Sequence, residues 1–185
     1  MTSRWQLGRA ARCLAQGQVI AYPTEAVFGL GCDPWNRAAV ERIFAIKGRS
    51  GSKGLILIAD ALDPVEPLLE PLPPAWEREI LASWPGPLTW VLPARPDAPS
   101  WLTGGRSTLA VRITAHPLAA ALCHTWGKPL VSTSANRGGR PPARTSLETR
   151  LRLGSELDLI LGGACPPLAR PSTIRDGRTG AILRA

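Results

Sequence analysis

The stretch AIKGRSGSKGLILIAD, residues 45–60, joins the end of a helical pattern to a continuous apolar run. Gly48 is a typical helix stop, and GLILIA at 54–59 has the length and composition of one buried strand. The junction between them carries three cations: Lys47, Arg49 and Lys53. A helix followed by a buried strand is typical of a layered α/β protein, and the cations make the connecting loop a candidate for anion binding.

The same alternation of helix and strand continues on both sides of this stretch. Upstream, residues 4–16 have helical spacing, VIAY at 19–22 predicts a short strand, and Asn36 is placed to cap the helix that ends at Gly48. Downstream, helices are predicted near 75–83, at 117–126 and near 146–153. Further strands are predicted at 88–94, 108–114, 129–133, 157–161, 172–175 and 180–184, with a loop at 96–106. The pattern predicts one α/β domain with a largely buried sheet.

Length, charge and cysteine spacing limit the classes of function. The 185 residues include 22 basic and 14 acidic side chains, and the net charge of +8 favours phosphate-bearing ligands or nucleic acid without choosing between them. No apolar run is long enough to span a membrane and nothing near the N-terminus reads as a signal peptide, so we expect a cytoplasmic protein. The four cysteines form no C-x-x-C pair, so we expect small buried hydrophobes rather than a zinc site or disulfides.

Three polar stretches directly follow apolar strands: YPTEAVFGLG at 22–31, STSAN at 132–136 and PSTIRD at 171–176. In open α/β sheets, ligands bind beyond the strand ends, where such loops gather. Hydroxyl and amide donors beside the cations of the 45–60 stretch are the combination that a nucleotide's phosphates require. Taken singly, each stretch also fits a structural role, because serine and threonine after a strand often cap a helix or close a turn.

The common signatures of other enzyme classes are absent from the sequence. There is no G-x-x-x-x-G-K-[ST] loop, no G-x-G-x-x-G fingerprint and no G-x-S-x-G elbow. His116 and His124 are eight residues apart on a predicted helix, a spacing that provides no metal pair by itself. His116 precedes Pro117 and is interpreted as the residue that begins this helix. P-loop, dinucleotide-binding and serine-hydrolase chemistries are thereby excluded on motif grounds.

Seven stretches in order, from residue 18 to the C-terminus, together carry a family resemblance: VIAYPTEAVFGLGCDP, KGR, KGLILIA, WPGPLTWVLPA, LAVRITAHPLAAALC, GKPLVSTSAN and PSTIRDGRTGAILRA. They resemble the YrdC/TsaC family of threonylcarbamoyl-AMP synthases in its short, single-domain bacterial form. The resemblance implies one YrdC-like synthase domain over residues 1–185. It further implies a twisted mixed sheet flanked by helices, with a positively charged concave cleft.

The activity that the resemblance implies is the synthesis of L-threonylcarbamoyladenylate and pyrophosphate from ATP, bicarbonate and L-threonine. This product serves the threonylcarbamoyl modification of adenosine 37 in tRNAs that read ANN codons. Mg²⁺ is expected on the triphosphate, no prosthetic group is expected, and any metal ligand of the protein stays unknown. The adenylate is expected to pass to the tRNA threonylcarbamoyl-transfer proteins, in the cytoplasm and without a membrane partner.

The resemblance also places the family's functional residues on this chain. The catalytic K-x-R and S-x-N signatures correspond to Lys47 with Arg49 and to Ser134 with Asn136. ATP is expected to contact these four residues together with Lys53, Thr108 and Arg184. Threonine is expected to contact Thr24, Arg112 and Ser172, with Arg112 as the partner of its carboxylate. Two positions depart from relatives: Ser50 replaces the proline of K-x-R-P, and Ile58 stands where some relatives have histidine.

Three alternatives stay open at this point. A basic cleft could bind structured RNA through its phosphates, as a binding module without catalysis, and the net charge fits that function equally well. Lys47 and Arg49 could be a solvated helix end, where cations favour the helix dipole by only about 0.3–1 kcal/mol. Glu25 is the carboxylate nearest the expected site in the sequence, and a lone glutamate is more often solvent-facing or helix-capping than a metal ligand.

Overall fold

The computed structural model describes residues 3–166 and 172–184. Its six described α-helices are α1 Arg4–Ala15, α2 Arg37–Lys47, α3 Pro74–Ala82, α4 Ser100–Thr103, α5 Pro117–Trp126 and α6 Ser146–Leu153. Its nine described strands are β1 Ile20–Pro23, β2 Phe28–Gly31, β3 Ile56–Ala59, β4 Leu88–Pro93, β5 Thr108–Ile113, β6 Leu130–Ser134, β7 Leu159–Ile160, β8 Thr173–Asp176 and β9 Ile182–Arg184. The α/β class predicted from the sequence is confirmed.

The strands form one mixed sheet in the order β7-β1-β2-β6-β3-β5-β4-β8-β9. The pairs β1–β7, β3–β5 and β4–β8 are parallel, and the other neighbours are antiparallel. Strand β3 lies in the middle, between β6 and β5, with Ile56 opposite both Ser132 and Ala110. The turn that follows β6 therefore lies beside the starts of β3 and β5, despite their separation in sequence, whereas the loops that follow β3 and β5 lie at the opposite end of these strands.

Side chains alternate between the two faces of each strand, and those on one face of the sheet pack in the main core. Leu57, Val111 and Val131 lie on this face and are fully buried. They belong to the same buried cluster as Ile43 of α2 and Ile80 of α3. This cluster is the larger of the two hydrophobic cores and holds the sheet in place behind the site.

The opposite face of the sheet is only partly covered by helices. Ile58 and Leu130 pack here in a second buried cluster with Leu14 of α1 and Leu122 of α5. Farther along the same face, in register with these residues, lie smaller and polar side chains that line an open cavity: Ala110, Arg112, Ser132 and Ser134. The cleft is thus the part of this face that α1 and α5 leave uncovered.

Local capping chemistry explains why the predicted helices form where they do. Asn36 Oδ1 accepts a hydrogen bond from Ala39 N at the start of α2, and Gly48 ends that helix with a left-handed φ of 56°. His116 begins α5, as predicted, and its Nδ1 accepts from Ala119 N. The helices predicted at 117–126 and near 146–153 are confirmed by α5 and α6.

The sequence-based prediction is wrong in three places. No strand is predicted within the polar stretch YPTEAVFGLG, where the structure has β2, and the predicted loop at 96–106 contains the short helix α4. Cys32 and Cys123 are buried as expected, but Cys13 and Cys165 are only partly buried, and all four are free thiols. Residue 171 of the predicted PSTIRD stretch lies outside the described residues.

Candidate active site

The uncovered face of the sheet holds a cavity of about 500 Å³. Of the ten residues that the sequence assigns to substrates, eight line it: Thr24, Arg49, Lys53, Thr108, Arg112, Ser134, Ser172 and Arg184. Residues from strands β5, β6 and β9, from the loops after β1 and α2, and from the segment just before β8 therefore meet at one place, as the resemblance implies. Arg106 also lines the cavity and was missed by the sequence reasoning. A volume of this size is typical of small-molecule sites.

The described lining is rich in positive charge. It includes five cations, Arg49, Lys53, Arg106, Arg112 and Arg184, and one carboxylate, Glu25. Burial, and then the charge of Arg106, lower the pKa of Arg49. Burial and the charge of Arg112 likewise lower the pKa of Arg184. Like charges are thus held together in a partly dehydrated space, an arrangement that an anionic ligand would relieve.

Two glycines bring the cations Lys53 and Arg106 to the same end of the cavity. Gly54 and Gly104 have φ of 64° and 66°. A Cβ on Gly104 would lie 2.6 Å from Gly54 N, so only glycine allows these two loops to touch. Leu55 N also donates to Leu102 O at 2.9 Å across this junction. The turn after α2 and the loop before β5 therefore form one wall.

Arg49 extends into the cavity from the turn after α2. Its NH2 donates to Gly54 O at 2.8 Å, which fixes the guanidinium against the same wall. Its Nε is buried and has no hydrogen-bond partner among the described residues. A partly buried guanidinium with unused donor capacity is suited to a phosphate oxygen.

Lys47 has a different environment from Arg49. Only 4% of Lys47 is exposed, and it is not among the residues that line the cavity. Its Nζ donates to Ser134 O at 2.6 Å, and to the carbonyl oxygen and Oδ1 of Asn136, each at 3.0 Å. The interpretation of Lys47 as a solvated helix end is therefore wrong. Burial, and then the charge of Arg49, lower the pKa of Lys47 to about 8.

The turn that Lys47 holds presents Ser134 to the cavity. Asn136 Oδ1 accepts from Ser134 Oγ at 2.6 Å, and Asn136 Nδ2 donates to Arg140 O at 2.6 Å. Asn136 is itself not among the lining residues. Of the K-x-R and S-x-N signatures, Arg49 and Ser134 thus face the cavity, whereas Lys47 and Asn136 lie behind it and set the position of the turn.

The residues expected to bind threonine lie at the other end of the cleft. Arg112 is 5% exposed, and its NH1 lies 3.5 Å from Thr89 Oγ1. Ser172 Oγ lies 3.4 Å from the same Thr89 hydroxyl and accepts from Arg184 NH2 at 3.3 Å. Thr24 Oγ1 donates to Val27 O at 2.7 Å, which closes the turn between β1 and β2. Thr89 thus connects Arg112 with Ser172, and Thr24 is held by its own turn.

Glu25 is neither solvent-facing nor the cap of a helix, so the interpretation favoured by the sequence is wrong. Its side chain is 15% exposed, and its Oε2 lies 3.4 Å from Arg112 NH2. Its Oε1 accepts from Thr114 Oγ1 at 2.6 Å and from Ala115 N at 3.2 Å. A carboxylate is thereby fixed at the cationic floor of the cleft.

The two positions that depart from relatives have structural roles. Ile58 is fully buried in the core beneath α1 and α5. Ser50 Oγ accepts from Ser52 N at 3.3 Å and caps the short 3₁₀ turn Gly51–Lys53. Neither is among the described residues that line the cavity. The described part of the chain contains no cluster of three or more potential metal ligands, and none of its helices has the length and hydropathy to cross a membrane.

Comparison with known proteins places this geometry in context. The family model Sua5_yciO_yrdC, described as "Telomere recombination", matches residues 12–185. A protein of Nitrosococcus oceani named threonylcarbamoyl-AMP synthase is 58% identical over 180 residues, which is 97% of each chain. A protein of Halorhodospira halophila with the same name is 55% identical over 183 residues, 99% of this chain and 96% of the other.

Solved structures resemble the whole described fold. The crystal structure of P. abyssi Sua5 complexed with L-threonine superposes with a TM-score of 0.91 at 33% identity, covering 98% of this chain. The present chain spans about half of that protein, 54% of its length. The crystal structure of E. coli YciO gives a TM-score of 0.87 at 27% identity and covers 98% of this chain and 89% of the other.

Proposed function

Because the chain belongs to the Sua5/YciO/YrdC family, we propose that it is an L-threonylcarbamoyladenylate synthase. It forms threonylcarbamoyl-AMP and pyrophosphate from ATP, bicarbonate and L-threonine. The full-length match to a threonylcarbamoyl-AMP synthase of N. oceani at 58% identity is the observation that carries this assignment. The cation-lined cavity gives this assignment a physical basis. The triphosphate of ATP, the bicarbonate ion and the carboxylate of threonine are all negatively charged and are attracted by cations.

The triphosphate fits best at the end of the cavity where the two glycine loops meet. Arg49, Lys53 and Arg106 supply cations there, and Ser134 supplies a hydroxyl. Lys47 and Asn136 contribute by holding the Ser134 turn rather than by contacting phosphate. Thr108 and Arg184 complete the ATP contacts proposed from the family resemblance. Mg²⁺ enters with ATP as part of the substrate, because the lining's one described carboxylate, Glu25, is paired with Arg112.

Threonine occupies the other end, with its carboxylate on Arg112 and its remaining groups near Thr24 and Ser172. The α-ammonium group first loses a proton to solvent, the resulting amine bonds to the carbon of bicarbonate with loss of water, and a carbamate oxygen then displaces pyrophosphate from the α-phosphorus. These steps need no protein nucleophile. The cleft accelerates them by holding the reactants in line and by stabilising the charge that develops on the phosphates.

The reaction itself provides the first test. We expect the purified protein to release pyrophosphate from ATP only when threonine and bicarbonate are both present, because the adenylate contains both. The measurement is a coupled pyrophosphate assay, with each substrate omitted in turn from carbonate-depleted buffer. Equal release without threonine or without bicarbonate would contradict the assignment.

The carboxylate partner provides a second test. We expect Arg112→Lys to raise the threonine KM by about tenfold or more and the ATP KM much less, because a two-pronged guanidinium contact becomes a single point contact. Steady-state kinetics with each substrate varied separately measures the two values. Equal increases in both KM values would place Arg112 elsewhere in the site.

The cellular role follows from the product. We propose that the adenylate serves the modification of adenosine 37 in tRNAs that read ANN codons, after transfer to the tRNA threonylcarbamoyl-transfer proteins in the cytoplasm. RNA binding without catalysis is not proposed as a second function, because only the net charge favours it. In the arginine-bearing stretch at 136–144, the guanidinium of Arg137 is paired with Glu156 at 2.6 Å.

A further inference from the structure

The cleft floor holds an ion pair whose two members both have unused binding capacity. Glu25 and Arg112 line the cavity with their charged groups 3.4 Å apart. Glu25 Oε2 and Arg112 Nε are buried and have no hydrogen-bond partner among the described residues. Glu25 and Arg112 are thus close enough for a charge interaction but lack hydrogen-bond geometry. Buried polar atoms without partners are uncommon in proteins and need an explanation.

The position of Glu25 is set by its other oxygen. Thr114 and Ala115, directly after β5, both donate to Oε1, at 2.6 and 3.2 Å. Thr114 is itself buried. The carboxylate is therefore anchored directly after the strand that carries Arg112. Its free oxygen, Oε2, is the one directed toward Arg112.

A carboxylate at this place has a cost if the cavity binds only anions. Glu25 lies among five cations that are suited to phosphate and carbonate, and its negative charge weakens their attraction for those groups. A ligand with a cationic group beside an anionic one would benefit instead. The two charged groups of an α-amino acid are attached to one carbon, with N and carboxyl C about 2.5 Å apart. An amino acid therefore requires adjacent opposite charges in its receptor.

We propose that Glu25 is the receptor for the α-ammonium group of threonine, while Arg112 receives the carboxylate. This inference rests on the proposed function and deepens it by assigning a residue that recognises the α-ammonium group of threonine. On binding, the direct contact between Glu25 and Arg112 is exchanged for two contacts with the zwitterion. Hydroxy acids that lack the amine leave Glu25 without its ligand partner, so the site selects against them.

The test combines a variant with a change in the ligand. Calorimetry measures the binding of threonine and of 3-hydroxybutyrate, which lacks the amine, to the parent and to Glu25→Gln. We expect the parent to bind threonine on the order of 10- to 100-fold more tightly than 3-hydroxybutyrate, since a charge-assisted hydrogen bond is lost with the amine. In Glu25→Gln we expect threonine to weaken by a similar factor, which brings the two ligands within about threefold of each other.

Matched variants separate ligand binding from structure. Glu156→Gln makes the same chemical change in an Arg–Glu pair outside the cleft and is expected to leave both affinities unchanged. Glu25→Asp keeps the negative charge but moves it farther from the ligand, because aspartate is one methylene shorter. We expect this variant to bind threonine more weakly than the parent does and still to prefer threonine over 3-hydroxybutyrate. This variant decides the question if Glu25→Gln does not fold, because parental threonine affinity in Glu25→Asp would then overturn the inference.

The inference and the proposed function fail in different ways. Parental threonine affinity in Glu25→Gln, or equal weakening of both ligands, would overturn the role of Glu25 while a threonine-dependent parent enzyme leaves the function intact. A parent that releases no pyrophosphate with threonine and bicarbonate would overturn the proposed function, and the inference with it.

Discussion

Arg49→Ala is expected to lower the rate of adenylate formation by roughly 30- to 1000-fold and to weaken ATP binding. Arg49 lines the cavity beside Arg106, and its Nε is buried without a described partner. A guanidinium in this state gains a charge-assisted contact when phosphate arrives, and the loss of such a contact costs about 2–4 kcal/mol. Pyrophosphate release under saturating threonine and bicarbonate, together with ATP binding by calorimetry, measures both effects.

The stability of Arg49→Ala is expected to stay within about 1 kcal/mol of the parent's. The variant loses the hydrogen bond to Gly54 O, but it also removes a cation that is destabilised by burial and by repulsion from Arg106, the two causes that lower the pKa of Arg49. Thermal unfolding checks this expectation. Arg37→Ala removes an equal charge from an exposed pair with Glu41 and should leave activity unchanged. Near-parental turnover in Arg49→Ala, or activity lost only through unfolding, would place the nucleotide elsewhere.

The parts of the fold that depend on local chemistry could be predicted from the sequence. Asn36 and Gly48 mark both ends of α2, because capping and left-handed termination act within a few residues. Strand β2 was missed because glycine, which is unfavourable in strands, occupies every second position of FGLG. A Cβ on Gly31 would lie 2.7 Å from the ring of Tyr22, so glycine is required by a contact with the neighbouring strand that the sequence does not reveal.

In the candidate site too, the residues placed by local sequence could be predicted, and those placed by contacts distant in sequence could not. The hydroxyl-bearing residues Thr24 and Ser134 were found because they lie at the ends of strands, and the structure brings them to one cavity with Ser172, which directly precedes β8. Arg106 was missed because its place depends on the contact between Gly54 and Gly104. The burial of Lys47 depends on a turn 87 residues away, and no local pattern around Lys47 predicts it.

Lys47→Met is expected to lose both activity and stability, in contrast to Arg49→Ala. The methionine fills the space of the stem but leaves oxygens of Ser134 and Asn136 without their donor, at a cost of about 1–3 kcal/mol at pH 7. The turn that presents Ser134 then shifts, and a misplacement of about 1 Å at a site can cost about 100-fold in rate. Pyrophosphate release and chemical unfolding at pH 7 measure the two losses.

The pH dependence of stability distinguishes a buried Lys47 from a solvated one. Unfolded Lys47 keeps its proton up to its ordinary pKa of 10.5, whereas burial lowers the pKa in the folded protein to about 8. Between these values the unfolded state binds more protons, so the free energy of unfolding of the parent gains a contribution that rises with pH.

Buried Cys32 and Cys123, whose thiol pKa is raised, act in the opposite direction in parent and variant alike. The difference in unfolding free energy between the parent and Lys47→Met therefore isolates the lysine. We expect this difference to widen from pH 8 to pH 10, and a constant difference would show that Lys47 titrates as an exposed side chain.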